Sequence, residues 1–96
     1  MPKTRNAIEV LDHITGDDDE LKEMIAEEAL HAEVARLIYQ ARTGANLTQA
    51  ELAALIDTKQ PVIARLEDAD YDGHSLTMLH RIAAALNQRL EISFVS

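Results

Sequence analysis

A chain of 96 residues makes one domain with little to spare, and 47% apolar content with only 3% aromatics asks for a core of Ala, Leu and Ile. That composition suits packed helices rather than a β-sandwich. Nine Lys+Arg against 17 Asp+Glu give a net charge of −8, and the absence of cysteine excludes disulfide frameworks and thiolate metal sites. No apolar run approaches the ~20 residues of a membrane span, and the residues after Met1 lack a secretory apolar region. A small, mainly α-helical, cytoplasmic protein without membrane association is expected.

The charge is unevenly placed. Residues 1–33 carry ten acids against Lys3, Arg5 and Lys22, which leaves −7, whereas residues 34–96 carry seven acids against six bases. On this basis the chain divides into an acidic N-terminal extension, 1–33, and a nearly neutral body, 34–96. An acidic segment repels phosphate and attracts a basic partner, or serves only as a solvated helix face.

Taken in chain order, Ile8, Val10, Leu11 and Ile14 fit a short strand or a helix, closed by Gly16. The acids from Asp17 to Glu20 then open a helix at the end where its dipole favours negative charge. They lack the spacing, glycine and terminal glutamate of a calcium loop. The helix can run to Thr43, with Gly44 as the left-handed residue just past its end. Its apolar stripe changes side: Leu21, Met24, Ile25, Ala32 and Ala35 share one face, while Leu30, Val34, Leu37, Ile38 and Ala41 lie nearly opposite. Either the helix breaks near residues 29–31, or the first stripe (Leu21, Met24 and Ile25, beside Glu28) packs on another molecule.

Leu47-Thr48-Gln49-Ala50-Glu51-Leu52 reads as a complete helix start, with Thr48 as N-cap, Glu51 closing a capping box and Leu47 stapling onto Leu52. Asp57 and Thr58 make a short turn, and a second helix runs from about Lys59 to Asp68 with Pro61 in its first turn. Ser75 caps another helix carrying Leu76, Leu79, Ile82, Ala83 and Leu86, and Asn87 ends it. The tail Leu90-Glu91-Ile92-Ser93-Phe94 alternates with period two, the pattern of a short C-terminal β-strand.

Two short helices joined by a tight turn must cross closely, and Ala53 supplies the small residue this needs. Asp57 tolerates the positive φ of the turn. Val62, Ile63 and Leu66 face inward, which leaves Gln60, Pro61, Ala64, Arg65 and Asp68 outward. Gln pairs bidentately with adenine and Arg with guanine in the major groove, so Gln60 and Arg65 fit base reading. Gln49, at the start of the preceding helix, fits a phosphate contact. The DNA-contact set is Thr48, Gln49, Thr58, Lys59, Gln60, Pro61, Ala64 and Arg65. Arg36 and Arg42 either support the body or reach phosphate at its rim. His74 lies in a loop near the same face, where an ordinary surface role is expected.

Thr48-Gln49-Ala50-Glu51-Leu52-Ala53, the eleven-residue step from Gln49 to Gln60, and Ile63-Ala64-Arg65-Leu66-Glu67 resemble the phage Cro/repressor (XRE) helix-turn-helix family. The resemblance covers residues 34–86 and implies a lambda-repressor-like domain of five helices that binds double-stranded DNA. Asp57 stands where the family usually has a turn glycine, and Asp68-Ala69 replaces its glycine-containing stop. Arg65-Leu66-Glu67-Asp68-Ala69-Asp70-Tyr71, then Gly73-His74-Ser75-Leu76 and Arg81-Ile82-Ala83-Ala84-Ala85-Leu86 are similar to HigA-type antitoxins. That similarity implies a repressor acting as a homodimer, whose acidic N-terminal element neutralises a basic mRNA-cleaving toxin. A chain of net charge −8 offers DNA few cations, and a two-fold dimer doubles them. Leu90, Ile92 and Phe94 mark the candidate dimer edge, or that edge pairs with residues 7–11 of the same chain. The alternatives are a stand-alone regulator of the same fold and an acidic inhibitor that no longer reads DNA. No enzyme, cofactor or metal is expected: nucleophile–base pairs, phosphate-cradling glycine loops and metal-ligand spacings are lacking.

Overall fold

The computed structural model describes residues 18–96; the strand-or-helix reading of the segment around Ile8 and Ile14 lies outside the described residues. Asp18 caps the first helix, its carboxylate accepting from the Leu21 N–H at 2.9 Å. This helix, α1, spans Asp19–Gly44 without a break, about 39 Å of rod. The break near residues 29–31 is therefore absent, and burial follows position along the rod rather than either stripe. Ala35 and Ile38 are buried in the second half, whereas Met24 and Leu30 are 59% and 62% exposed in the first.

Three further helices follow: α2 over Gln49–Leu55, α3 over Gln60–Leu66 and α4 over Leu76–Ala85. Thr48 makes the expected capping box, accepting from the Glu51 N–H at 3.0 Å while its own N–H donates to Glu51 Oε1 at 2.8 Å. Pro61 sits in the first turn of α3, and Ser75 caps α4 through the Met78 N–H. Leu52 and Ile63 are fully buried where α2 and α3 meet, joined by Ile38, Ala53, Ile56, Leu66 and Ile82. Ala53 is 2% exposed, as the close crossing requires.

Helices α1, α2 and α4 end alike. Asn46, Asp57 and Asn87 take φ of 59°, 56° and 58°. Behind each, two N–H groups return to the last turn: Leu47 to the Arg42 carbonyl, Thr58 to that of Ala53, and Gln88 to that of Ala83, with the preceding residue bonding one carbonyl further on. This is the Schellman closure, made here on short polar side chains that tolerate the left-handed region. The expected terminator Gly44 lies inside α1 instead, because the helix continues one residue further before Asn46 turns it.

Two expectations are corrected. Among the described residues there are four helices rather than five, and no strand. The tail alternates in sequence, but alternation marks only a potential face; a strand also needs a neighbour to satisfy its N–H and C=O groups. With no strand beside it among the described residues, the tail leaves Ile92 and Phe94 exposed and Leu90 half-buried.

The Thr48 backbone N–H, and then its side chain, hold the Glu51 carboxyl below its ordinary range. A depressed folded value contributes stability above the unfolded value of about 4.3 and loses it as pH falls through the folded one. Glu51→Gln should therefore flatten the acid-side decline of the unfolding midpoint and leave its pH dependence above about 5 unchanged. Denaturant titrations across pH check this.

Candidate nucleic-acid interface

The turn between α2 and α3 is set by Asp57 and braced by Arg81, whose guanidinium donates to the Ile56 carbonyl. It fixes the angle at which α3 leaves the body. Ile63 and Leu66 anchor α3 by their burial, and the same helical period turns Gln60, Pro61 and Arg65 to solvent. Lys59 is exposed at the N-cap of α3, Ala64 and Thr58 are half-buried, and Thr48 is exposed with its hydroxyl engaged in the cap. The predicted contact residues thus flank the start of α2 and the outer side of α3.

Gln49 and Gln60 are joined directly, the Gln60 amide donating to Gln49 Oε1 at 2.6 Å. Gln49 in turn donates to Glu67 Oε1 at 3.1 Å. Behind them lies an ion pair between α1 and the C-cap of α3. Arg42 donates from Nε to Glu67 Oε2 at 2.6 Å and from Nη2 to Oε1 at 2.9 Å. Its Nη1 holds the Leu47 carbonyl at 2.8 Å, and its guanidinium lies 5.4 Å from the Tyr39 ring centroid. The hydrogen bonds that Arg42 donates to Glu67 raise its pKa further, against the opposing effect of burial.

Arg42 therefore supports the body and is not a rim phosphate contact. Arg36 is paired locally with Glu33. The partnership of Arg42 with Glu67 went unread in the sequence, although a signal existed. Arg42 lies on the buried side of α1, seven residues after Ala35 and four after Ile38, and Glu67 follows the buried Ile63 of α3 at i+4. Opposite charges on two inward stripes ask for each other.

His74 also departs from the surface role expected of it. Its Nε2 lies 2.7 Å from the Leu66 carbonyl, which can only accept, so Nε2 carries the proton. The ring meets Tyr71 edge-on at 5.0 Å, and its Nδ1 is buried without a hydrogen-bond partner. His74 thus ties the loop after α3 to that helix's last turn. The Tyr71 hydroxyl donates to the Gly73 carbonyl at 3.2 Å, and any side chain at Gly73 would strike the Tyr71 ring. Asp68 closes the end of α3 with a bond from the Asp70 N–H to its carboxylate, where a glycine stop was the family expectation.

The other candidates lie apart from this face. Leu21, Met24 and Glu28 are exposed and Ile25 half-buried on the first half of α1. Leu90 and Ile92 line an apolar groove of about 760 Å³ with Leu30, Leu37 and Leu76, and Phe94 stands fully exposed.

A family model described as a helix-turn-helix domain matches residues 16–94. The chain belongs to the helix-turn-helix domain family. No curated protein and no solved structure matches it. Helices α2 and α3 are the two arms of this DNA-binding helix-turn-helix, and among the described residues no helix is long and apolar enough to cross a membrane.

Arg42→Ala leaves the Glu67 carboxylate buried and unpaired behind the helix-turn-helix, which should cost about 3–5 kcal/mol. Urea unfolding checks this, and a loss under about 1 kcal/mol would contradict the pairing.

Proposed function

We propose that this helix-turn-helix protein is a transcriptional repressor that binds a palindromic operator as a homodimer and acts as the antitoxin of a basic mRNA-cleaving toxin. The observation that carries the DNA reading is α3 itself. One side holds the fully buried Ile63, and the other offers Gln60 and Arg65 to solvent beside Lys59. Amide and guanidinium groups on an outward helix face match the donor and acceptor pattern of base edges in the major groove.

Charge supports the dimer. With a net charge of −8 and two cations at α3, one copy neutralises few phosphates. Two copies related by a two-fold axis double the contacts and set the reading helices one turn of DNA apart, about 34–36 Å. Leu90, Ile92 and Phe94 are the residues assigned to that interface. The toxin reading is supported by the first half of α1, where Leu21 and Met24 are exposed among Asp19, Glu20, Glu23, Glu27 and Glu28. An apolar seam edged with carboxylates suits a basic protein surface.

Gel shifts with the DNA upstream of the gene test the DNA reading. A full palindrome should bind more tightly than a half-site, and Arg65→Ala should cost about 1–3 kcal/mol and relax base preference. Equal affinity of wild type and Arg65→Ala for every sequence would reject it. Leu21→Glu combined with Met24→Glu should abolish co-purification and growth rescue with the toxin of the adjacent gene while sparing the gel shift. Unimpaired rescue would remove α1 as the toxin contact.

A further inference from the structure

We infer that Glu67, which lies behind the interface, sets which base Gln60 reads by fixing the direction of the two amides between them. The inference rests on the groove reading of Gln60 proposed above. The relay begins at a carboxylate that is 5% exposed and ion-paired to Arg42, so it can only accept hydrogen bonds. The amide of Gln49 must therefore turn its nitrogen inward to Glu67 Oε1, and that leaves its oxygen facing outward. Gln49 Oε1 takes one hydrogen from Gln60 Nε2 at 2.6 Å, which fixes the second amide in the same sense.

Gln60 is left with one free N–H beside a free carbonyl oxygen. A donor next to an acceptor matches adenine, which shows N7 as acceptor and the N6 amino group as donor in the major groove. If the chain ran the other way, Gln60 would give its oxygen to Gln49 and present two N–H donors. That pattern matches guanine, with its N7 and O6 acceptors. An exposed glutamine without a fixed neighbour turns its amide either way. The buried ion pair removes this freedom, so information about base identity is carried from the interior to the surface by hydrogen-bond polarity.

The test is selection of binding sites from a randomised duplex DNA library by the full chain. Wild type, Gln60→Ala, Glu67→Gln and Gln49→Met are compared, each with its unfolding midpoint. Gln60→Ala should erase an adenine preference at one position of each half-site. Glu67→Gln keeps its oxygen on Arg42 Nε, the shorter of the two bonds, gives up the bond from Arg42 Nη2, and turns an N–H2 toward Gln49 in the place of Oε1, so the relay reverses. At the same position the preference should move from adenine to guanine by roughly tenfold or more. Gln49→Met leaves the ion pair whole and breaks the relay, so the adenine-to-guanine ratio should fall toward one.

A role for Glu67 in stability alone would weaken binding to all sequences and leave this ratio unmoved. Retention of the wild-type adenine ratio in both Glu67→Gln and Gln49→Met overturns the relay while the groove reading stands. Should Glu67→Gln fail to fold, Gln49→Met decides alone. If Gln60→Ala alters no position, or wild type selects guanine there, the inference falls; in the first case the groove assignment of Gln60 falls with it.

Discussion

Arg42 and Glu67 hold the end of α1 to the end of α3, and α3 takes its place from that bond. A buried ion pair is a poor source of net stability, because removing two charges from water offsets most of their attraction. What it supplies is direction. Apolar contacts at Ile38, Leu52 and Ile63 are tolerant of small rotations, but a two-pronged bond between a guanidinium and a carboxylate is not. The third bond, from Arg42 to the Leu47 carbonyl, fixes the chain just before α2 begins. One side chain thus positions the ends of two connections and helix α3.

The short linkers work to the same purpose. Asn46, Asp57 and Asn87 each close a helix by a left-handed residue, so the chain turns sharply without a long loop. His74 does for the longer segment after α3 what these turns do elsewhere, tying it to the Leu66 carbonyl. A reading face built on helices as short as Gln49–Leu55 and Gln60–Leu66 needs such closures, since helices of this length are not stable alone.

What was legible in the sequence was local. The Thr48 and Glu51 box, the turn at Asp57, and the inward set of Ile63 and Leu66 depend on residues three or four apart, and the outward set of Gln60 and Arg65 follows from the same period. The Arg42–Glu67 pair joins residues 25 apart, and periodicity gives only the faces, not which face meets which. The tail misled for a related reason. Alternation at Leu90, Ile92 and Phe94 states a preference that only a neighbouring strand can realise, and there is none among the described residues. Gly44 misled because glycine marks a helix end statistically, whereas the register of the last turn placed the left-handed residue at Asn46.

Part of the chain's acidity is set apart from the helix-turn-helix by distance. Along α1, the acids at Asp19 and Glu20 lie about 24 Å of helix rise from Ala35, where the rod enters the core. That is roughly three Debye lengths at physiological salt, so their field at the docked end is largely screened. Closer acids matter more, and the closest to the reading amides is Glu67, whose charge is met by Arg42. The acids at the far end of α1 thus add little to the potential at the helix-turn-helix. On the proposed reading, affinity depends on few cations and discrimination falls to oriented hydrogen bonds such as the bonded Gln49 and Gln60 amides offer.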